Sequence, residues 1–198
     1  MIDQRLFPKF NVYDQIGYLL VGSIGLLVIY VDSIFLNFKF PKFDLDTSII
    51  WVVVAYFLGH MVQAVANVFI RENKEDFNEQ EKRILKIMEE FYGIKALSLS
   101  YGEIWNLCYM ISLAKDITGQ ISSFNAYYSL YRGWLIIFAV ESVFLLIHLI
   151  LFFNLSRLIW LMISFSLTVL CYQRSKRFYR YLKTKVIHTS LIIKILGI

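Results

Sequence analysis

Tyr56, His60, Gln63 and Asn67 are the residues of this 198-residue chain whose types and spacing most invite chemistry. They stand at i, i+4, i+7 and i+11 in an otherwise apolar run, a spacing that puts all four on one face of a helix. In hydrocarbon a polar group is costly unless it finds a partner or water. The stripe therefore reads as a pore-lining or gating face, or as interhelical hydrogen bonding worth about 0.6 kcal/mol per contact. Ala55 and Gly59 on the same helix form a small-xxx-small pair that favours close helix packing. Glu141 and His148 lie seven residues apart in a second apolar run, again on one face. Such a pair can relay protons, gate a path or bind a cation; alternatively it locks onto His60 or Gln63 of the neighbouring helix. His60, His148 and Glu141 would make a two-histidine, one-carboxylate metal set, but no HExxH-like local motif accompanies them and no metal is expected. Asp32 reads as an interfacial anchor at the end of the first apolar run.

A second constellation is basic. Arg174, Lys176, Arg177 and Arg180 follow directly on the last apolar run. Clusters of this kind attract anionic lipid, at about 1 kcal/mol per charge, or a protein partner. Phe178, Tyr179 and Tyr181 interleave with the charges, a pattern that RNA-binding surfaces also use. Direct nucleic-acid binding is nevertheless not expected. Phosphate-binding, dinucleotide, serine-hydrolase and CxxC signatures are missing from the sequence. His188 follows Arg180 by eight residues, outside the Arg-x4–6-His spacing of HEPN ribonucleases. Glu89 and Glu90 read as a solvated helix face. We expect no catalytic residue and no cofactor.

The elements that must position these residues follow from composition. The chain is 58% hydrophobic, with a mean hydropathy of +0.59, against about 45–50% apolar for a soluble domain. Two cysteines exclude a disulfide scaffold and a four-thiolate zinc site. Two prolines and nine glycines argue against a linker-rich or disordered chain. Crossing about 30 Å of hydrocarbon takes roughly 20 apolar residues. Four stretches qualify: 15–38, 48–70, 133–153 and the shorter 158–173. The N-terminus lacks a signal-peptide pattern, so the first stretch is expected to stay as a helix. Of 20 lysines and arginines, only Lys39, Lys42 and Arg157 fall in the loops joining spans one to two and three to four. The positive-inside rule then places both termini and the middle loop in the cytoplasm of a bacterial inner membrane.

The middle stretch, 71–132, is expected to be helical. Ile84, Ile87, Met88 and Phe91 recur with helical period, Asn78 and Glu81 form a capping-box pattern, and Gly93 is a stop. A second helix is expected over 101–115, and 122–132 should run on into the third span, with Tyr127, Tyr128, Tyr131 and Trp134 at headgroup level. The fold class is thus all-α and polytopic, with four transmembrane helices and a small helical insertion between the second and third. Its parts are a first hairpin (1–70), the insertion (71–132), a second hairpin (133–173) and a basic then apolar tail (174–198).

Tyr56-Phe-Leu-Gly-His60-Met-Val-Gln63, with the four-span plan and the basic run after the last span, resembles the four-pass membrane accessory proteins of Cas13b-type CRISPR loci. The resemblance implies a non-enzymatic, oligomeric role in bacterial antiviral defence, altering membrane permeability or signalling to a soluble nuclease. It carries no catalytic residue over. The residues alone leave two alternatives: a small proton- or cation-coupled transporter or channel, and a membrane scaffold that recruits a partner through the basic tail. The expected partners are membrane lipids, further copies of the chain and a soluble defence nuclease.

Overall fold

The computed structural model describes residues 15–36, 38–41, 44–71, 76–94, 98–116 and 118–196. Arg5, Lys9, Lys42, Lys74 and Lys95, which enter the charge argument above, lie outside the described residues. The described chain is helical and contains no strand. A π-helical segment, Gln15–Leu20, leads into α1, Val21–Phe35. A 3-10 turn, Leu45–Thr47, precedes α2, Ser48–Phe69. Then come α3, Glu79–Phe91, and α4, Tyr101–Ala114. Two long helices complete the chain: α5, Gln120–Leu151, and α6, Leu155–Leu196. Four helices are long and apolar enough to cross a membrane, Ile16–Phe35, Ser48–Phe69, Gln120–Leu151 and Leu155–Ile195.

The chain divides into two compact units. The first takes α1, α2 and Ala126–Lys176. Here α1 and α2 meet backbone to backbone. A Cβ on Gly22 would lie 1.6 Å from the Ala55 carbonyl oxygen, and one on Gly59 would lie 1.9 Å from the Tyr18 carbonyl oxygen. Only glycine permits that approach, which is how helices gain contact when lipid supplies no hydrophobic drive. Val21 and Val28 then pack with Leu130, Leu135, Ile137 and Phe138 of α5 and Cys171 of α6.

The second unit takes Arg71–Asn125 and Arg177–Ile198. Both of its short helices begin on capping boxes. The Asn78 side chain accepts from the Glu81 amide at 2.8 Å while Glu81 accepts from the Asn78 amide at 2.9 Å. Ser100 and Glu103 do the same for α4. Each box satisfies two otherwise orphaned amides and contributes about 1 kcal/mol. Gly93, at φ +67°, ends the first of them in the left-handed region that glycine favours. Leu85, Met88, Ile104, Trp105, Cys108, Ile121, Leu182, Val186 and Ile187 form the core. Burial there pushes the Cys108 thiol up, an effect that outweighs the hydrogen bond from Ser190. Lys183, itself buried, fastens the entry to α3: its ammonium donates to the Asp76 carbonyl, pairs with Glu81 at 3.6 Å and lies 4.7 Å from the Phe77 ring centre.

Three expectations need correction. The third span runs on from the residues before it, as expected, in the single helix Gln120–Leu151, but the fourth is not a free-standing segment over 158–173: α6 runs unbroken through the basic stretch. Neither glycine nor proline interrupts residues 155–196, so polarity changes along the helix without ending it. The buried face of α3 is also rotated from the expected one: Leu85 and Met88 are fully buried, whereas Ile87 and Phe91 are exposed. The third correction concerns Asp32, taken up next.

Candidate functional site

The polar groups of the first unit form two clusters. One is built around Gln63, which α2 carries toward the π-helical segment and α5. Its side chain is 3% exposed. The amide nitrogen donates to the Gly17 carbonyl at 3.0 Å and to the Ser129 carbonyl at 2.7 Å. Its oxygen accepts from Arg132 Nη2 at 3.1 Å, and the Arg132 guanidinium lies 5.0 Å from the Tyr128 ring centre. A primary amide has two donors and an acceptor to satisfy, and here both ends are engaged. One turn away, His60 stacks on Tyr18 at 3.7 Å between ring centres and meets Tyr56 edge-on at 4.6 Å. Asn67 is exposed.

The expected stripe is therefore not one uniform surface. Gln63 is buried, Tyr56 half-buried, and His60 and Asn67 exposed. Within the Tyr56-x-x-Gly59-His60-x-x-Gln63 motif, every named residue packs against the segment around Gly17 and Tyr18.

The second cluster was only half visible in the sequence. Glu141 on α5 is 3% exposed. Trp160 on α6 donates its indole N–H to Glu141 Oε1 at 2.9 Å. Asp32 on α1 lies beside Glu141, and both line one cavity. Asp32 is thus no isolated interfacial anchor but half of a carboxyl pair. Its Oδ1 is buried and has no hydrogen-bond partner among the described residues. Ser142 and Ser164 join α5 to α6 at 3.1 Å, and Ser164 donates to the Phe138 carbonyl at 3.0 Å.

His148 does not reach His60 or Gln63, and neither does Glu141, so the expected lock onto α2 is not formed. Instead Arg157 Nη1 bonds to His148 Nδ1 at 2.8 Å. Arginine can only donate, so Nδ1 accepts, and the imidazole is the neutral tautomer protonated at Nε2. The same guanidinium donates to the Phe152 carbonyl at 3.3 Å and the Phe35 carbonyl at 3.2 Å. It thereby satisfies open carbonyls at the C-terminal ends of α5 and α1. Sequence reasoning missed Trp160 and the role of Arg157. The signal for the pair was there, as two acids inside apolar runs.

His60, His148 and Glu141 are not gathered, and among the described residues no group of three or more His, Cys, Asp or Glu side chains is placed to hold a metal ion. Arg174, Lys176, Arg177 and Arg180 are all exposed. Lys176 lies 4.5 Å from the Tyr172 ring centre, and Arg177 Nε donates to the Tyr181 hydroxyl at 2.6 Å. A cavity of about 540 Å³ opens beside the carboxyl pair, lined by α1, α2 and α5. No protein-family model matches the chain, and no curated protein or solved structure matches it either.

Proposed function

We propose that this is a non-enzymatic membrane protein whose spanning helices hold a proton- or cation-binding site at Asp32 and Glu141, and that occupancy of the site governs permeability. The observation that carries the reading is the meeting of two carboxyls from different spanning helices on the lining of one cavity. Ionisable groups within spanning segments are expensive to keep, and their common uses are proton relays, ion paths and gates. The pair brings one carboxyl from α1 and one from α5 to the same cavity. Adding or removing charge there changes the attraction between those helices.

The test is proton flux into liposomes carrying the purified protein, followed with an enclosed pH-sensitive dye under an imposed potassium diffusion potential. Wild type should acidify the lumen, and Glu141→Gln or Asp32→Asn should slow that at least about tenfold, the scale of a 1.4 kcal/mol change at the barrier. Equal flux in all three proteins rejects the site.

The layout supports a second reading, an oligomeric effector of antiviral defence at the bacterial inner membrane with cytoplasmic termini. What favours it is the second unit, which has its own apolar core and carries exposed Arg177 and Arg180, a surface that can receive a soluble partner. Co-expression with a Cas13b-type nuclease during phage challenge tests it. Protection that needs both proteins, and that fails when Arg177 and Arg180 become glutamine, supports this reading; protection indifferent to the membrane protein rejects it.

A further inference from the structure

The cavity beside the carboxyl pair has a composition that selects a ligand. Gly25 and Val28 of α1, Leu58 and Val62 of α2, and Ile137 and Phe144 of α5 give it apolar walls. Its volume, about 540 Å³, lies within the range of small-molecule sites. The polar side chains on its lining are Asp32, Glu141 and Ser33. The Ser33 hydroxyl is already committed to the Tyr30 carbonyl at 2.6 Å. Among the described residues no lysine, arginine or histidine lines the cavity.

We propose that this cavity binds a lipophilic monovalent cation, an organic body bearing one positive charge, against the Asp32–Glu141 pair. The inference rests on the reading of that pair as a cation- or proton-binding site, and it names the ligand class. Charge decides against the alternatives. An anion would face two carboxyls with no donor on the lining to receive it. A hard metal ion of the calcium class wants six to eight oxygen ligands, and the cavity supplies few. A neutral acyl chain would fill the walls but leave Asp32 Oδ1 buried and unpartnered. A cationic centre beside the two carboxyls offsets their negative charge and meets the unpartnered Asp32 Oδ1, while the apolar body of the ligand covers the surrounding walls. Of the neighbouring polar groups, Trp160 donates to Glu141 itself, while Arg157 bonds to His148 and to the Phe35 carbonyl.

The experiment uses the full chain in nanodiscs, with tetraphenylphosphonium as the probe and tetraphenylborate as an anion of the same shape, titrated by calorimetry. Three substitutions accompany wild type: Glu141→Gln, Asp32→Asn and Val65→Trp. Val65 is exposed on the cavity lining, so tryptophan there fills the space without touching the pair. Only variants monodisperse and as helical as wild type are compared. Tetraphenylphosphonium should bind wild type at least about tenfold more tightly than tetraphenylborate, and each substitution should weaken it about tenfold or more. Equal affinity for the two ions, or phosphonium binding unmoved by both Glu141→Gln and Val65→Trp, overturns the inference. Proton flux in matched liposomes separates this result from the reading beneath it. Flux lost in Glu141→Gln without phosphonium binding leaves the proton site standing and removes the cation site. Charge-selective phosphonium binding without flux in wild type removes the permeability role and keeps the cation site.

Discussion

The two units of this protein solve the same packing problem with different emphasis. In the unit containing α3 and α4, buried side chains such as Leu85, Met88, Ile104 and Ile187 make the core, one buried bond between Ser112 and Ser190 crosses it, and the capping boxes act at helix ends. In the unit containing α1 and α2, backbones approach through Gly22 and Gly59, and Gln63, Glu141, Arg157 and Ser164 bond from helix to helix. The difference follows from the solvent each set of helices is written for. Removing apolar surface from water stabilises strongly, so a leucine-rich interior suffices. Removing it from lipid gains little, so contact distance and hydrogen bonds must hold the helices instead.

Substitutions can break that contrast, and the largest effect belongs to the glycine contact. Gly59→Leu puts a side chain into the Tyr18 backbone and should cost more than about 4 kcal/mol, the range in which a named steric mechanism is required. Unfolding in mixed micelles should show it as loss of the folded form. The counterpart in the other unit is Leu85→Ala. It should cost about 2–5 kcal/mol through lost transfer energy and a cavity. Hydrogen exchange should rise in α3 and α4 while α2 stays protected. Gln63→Leu keeps the size and removes three bonds, at about 0.6 kcal/mol each and so about 2 kcal/mol in total. A Gln63→Leu protein as stable as wild type would reduce the polar network to decoration.

The smallest effect is one of pH, and it belongs to the water-type unit alone. Burial pushes the Asp116 carboxyl up, but hydrogen bonds from the Thr118 hydroxyl and the backbone N–H groups of Ile121, Ser122 and Gln120 together hold it below the ordinary carboxylate range. A folded-state value below the unfolded one means the contribution is complete above about pH 3.9 and is lost as pH falls through the folded value. Stability of this unit, followed by Trp105 fluorescence, should be level from neutrality to that point and decline beyond it. Asp116→Asn should remove that acid limb.

The contrast also sets what could be read from sequence. Local devices were legible: the Asn78–Glu81 box, the Gly93 stop and the uncharged run of α2 each follow from a few neighbouring residues. The Ser100–Glu103 box carries the same spacing, directly ahead of the apolar part of that segment. Tertiary polar pairing was not legible. Nothing near Asp32 announces Glu141, and nothing near His148 says that Arg157, rather than α2, is its partner. Helix length was misread for another reason: hydropathy marks where lipid stops, whereas the α6 backbone goes on because no breaker intervenes.

Gln63 also fixes an order of events during synthesis. Its amide bonds to Gly17, made before it, and to Ser129 and Arg132, which are made 66 and 69 residues later. While only the first two spans exist, this side chain has one acceptor at hand and an idle oxygen. A nascent chain halted before Ser129 therefore holds an incomplete lock in lipid, and arrival of α5 is the step that closes it. A translating ribosome thus delivers the first hairpin as an unfinished receptor for a helix it has yet to make.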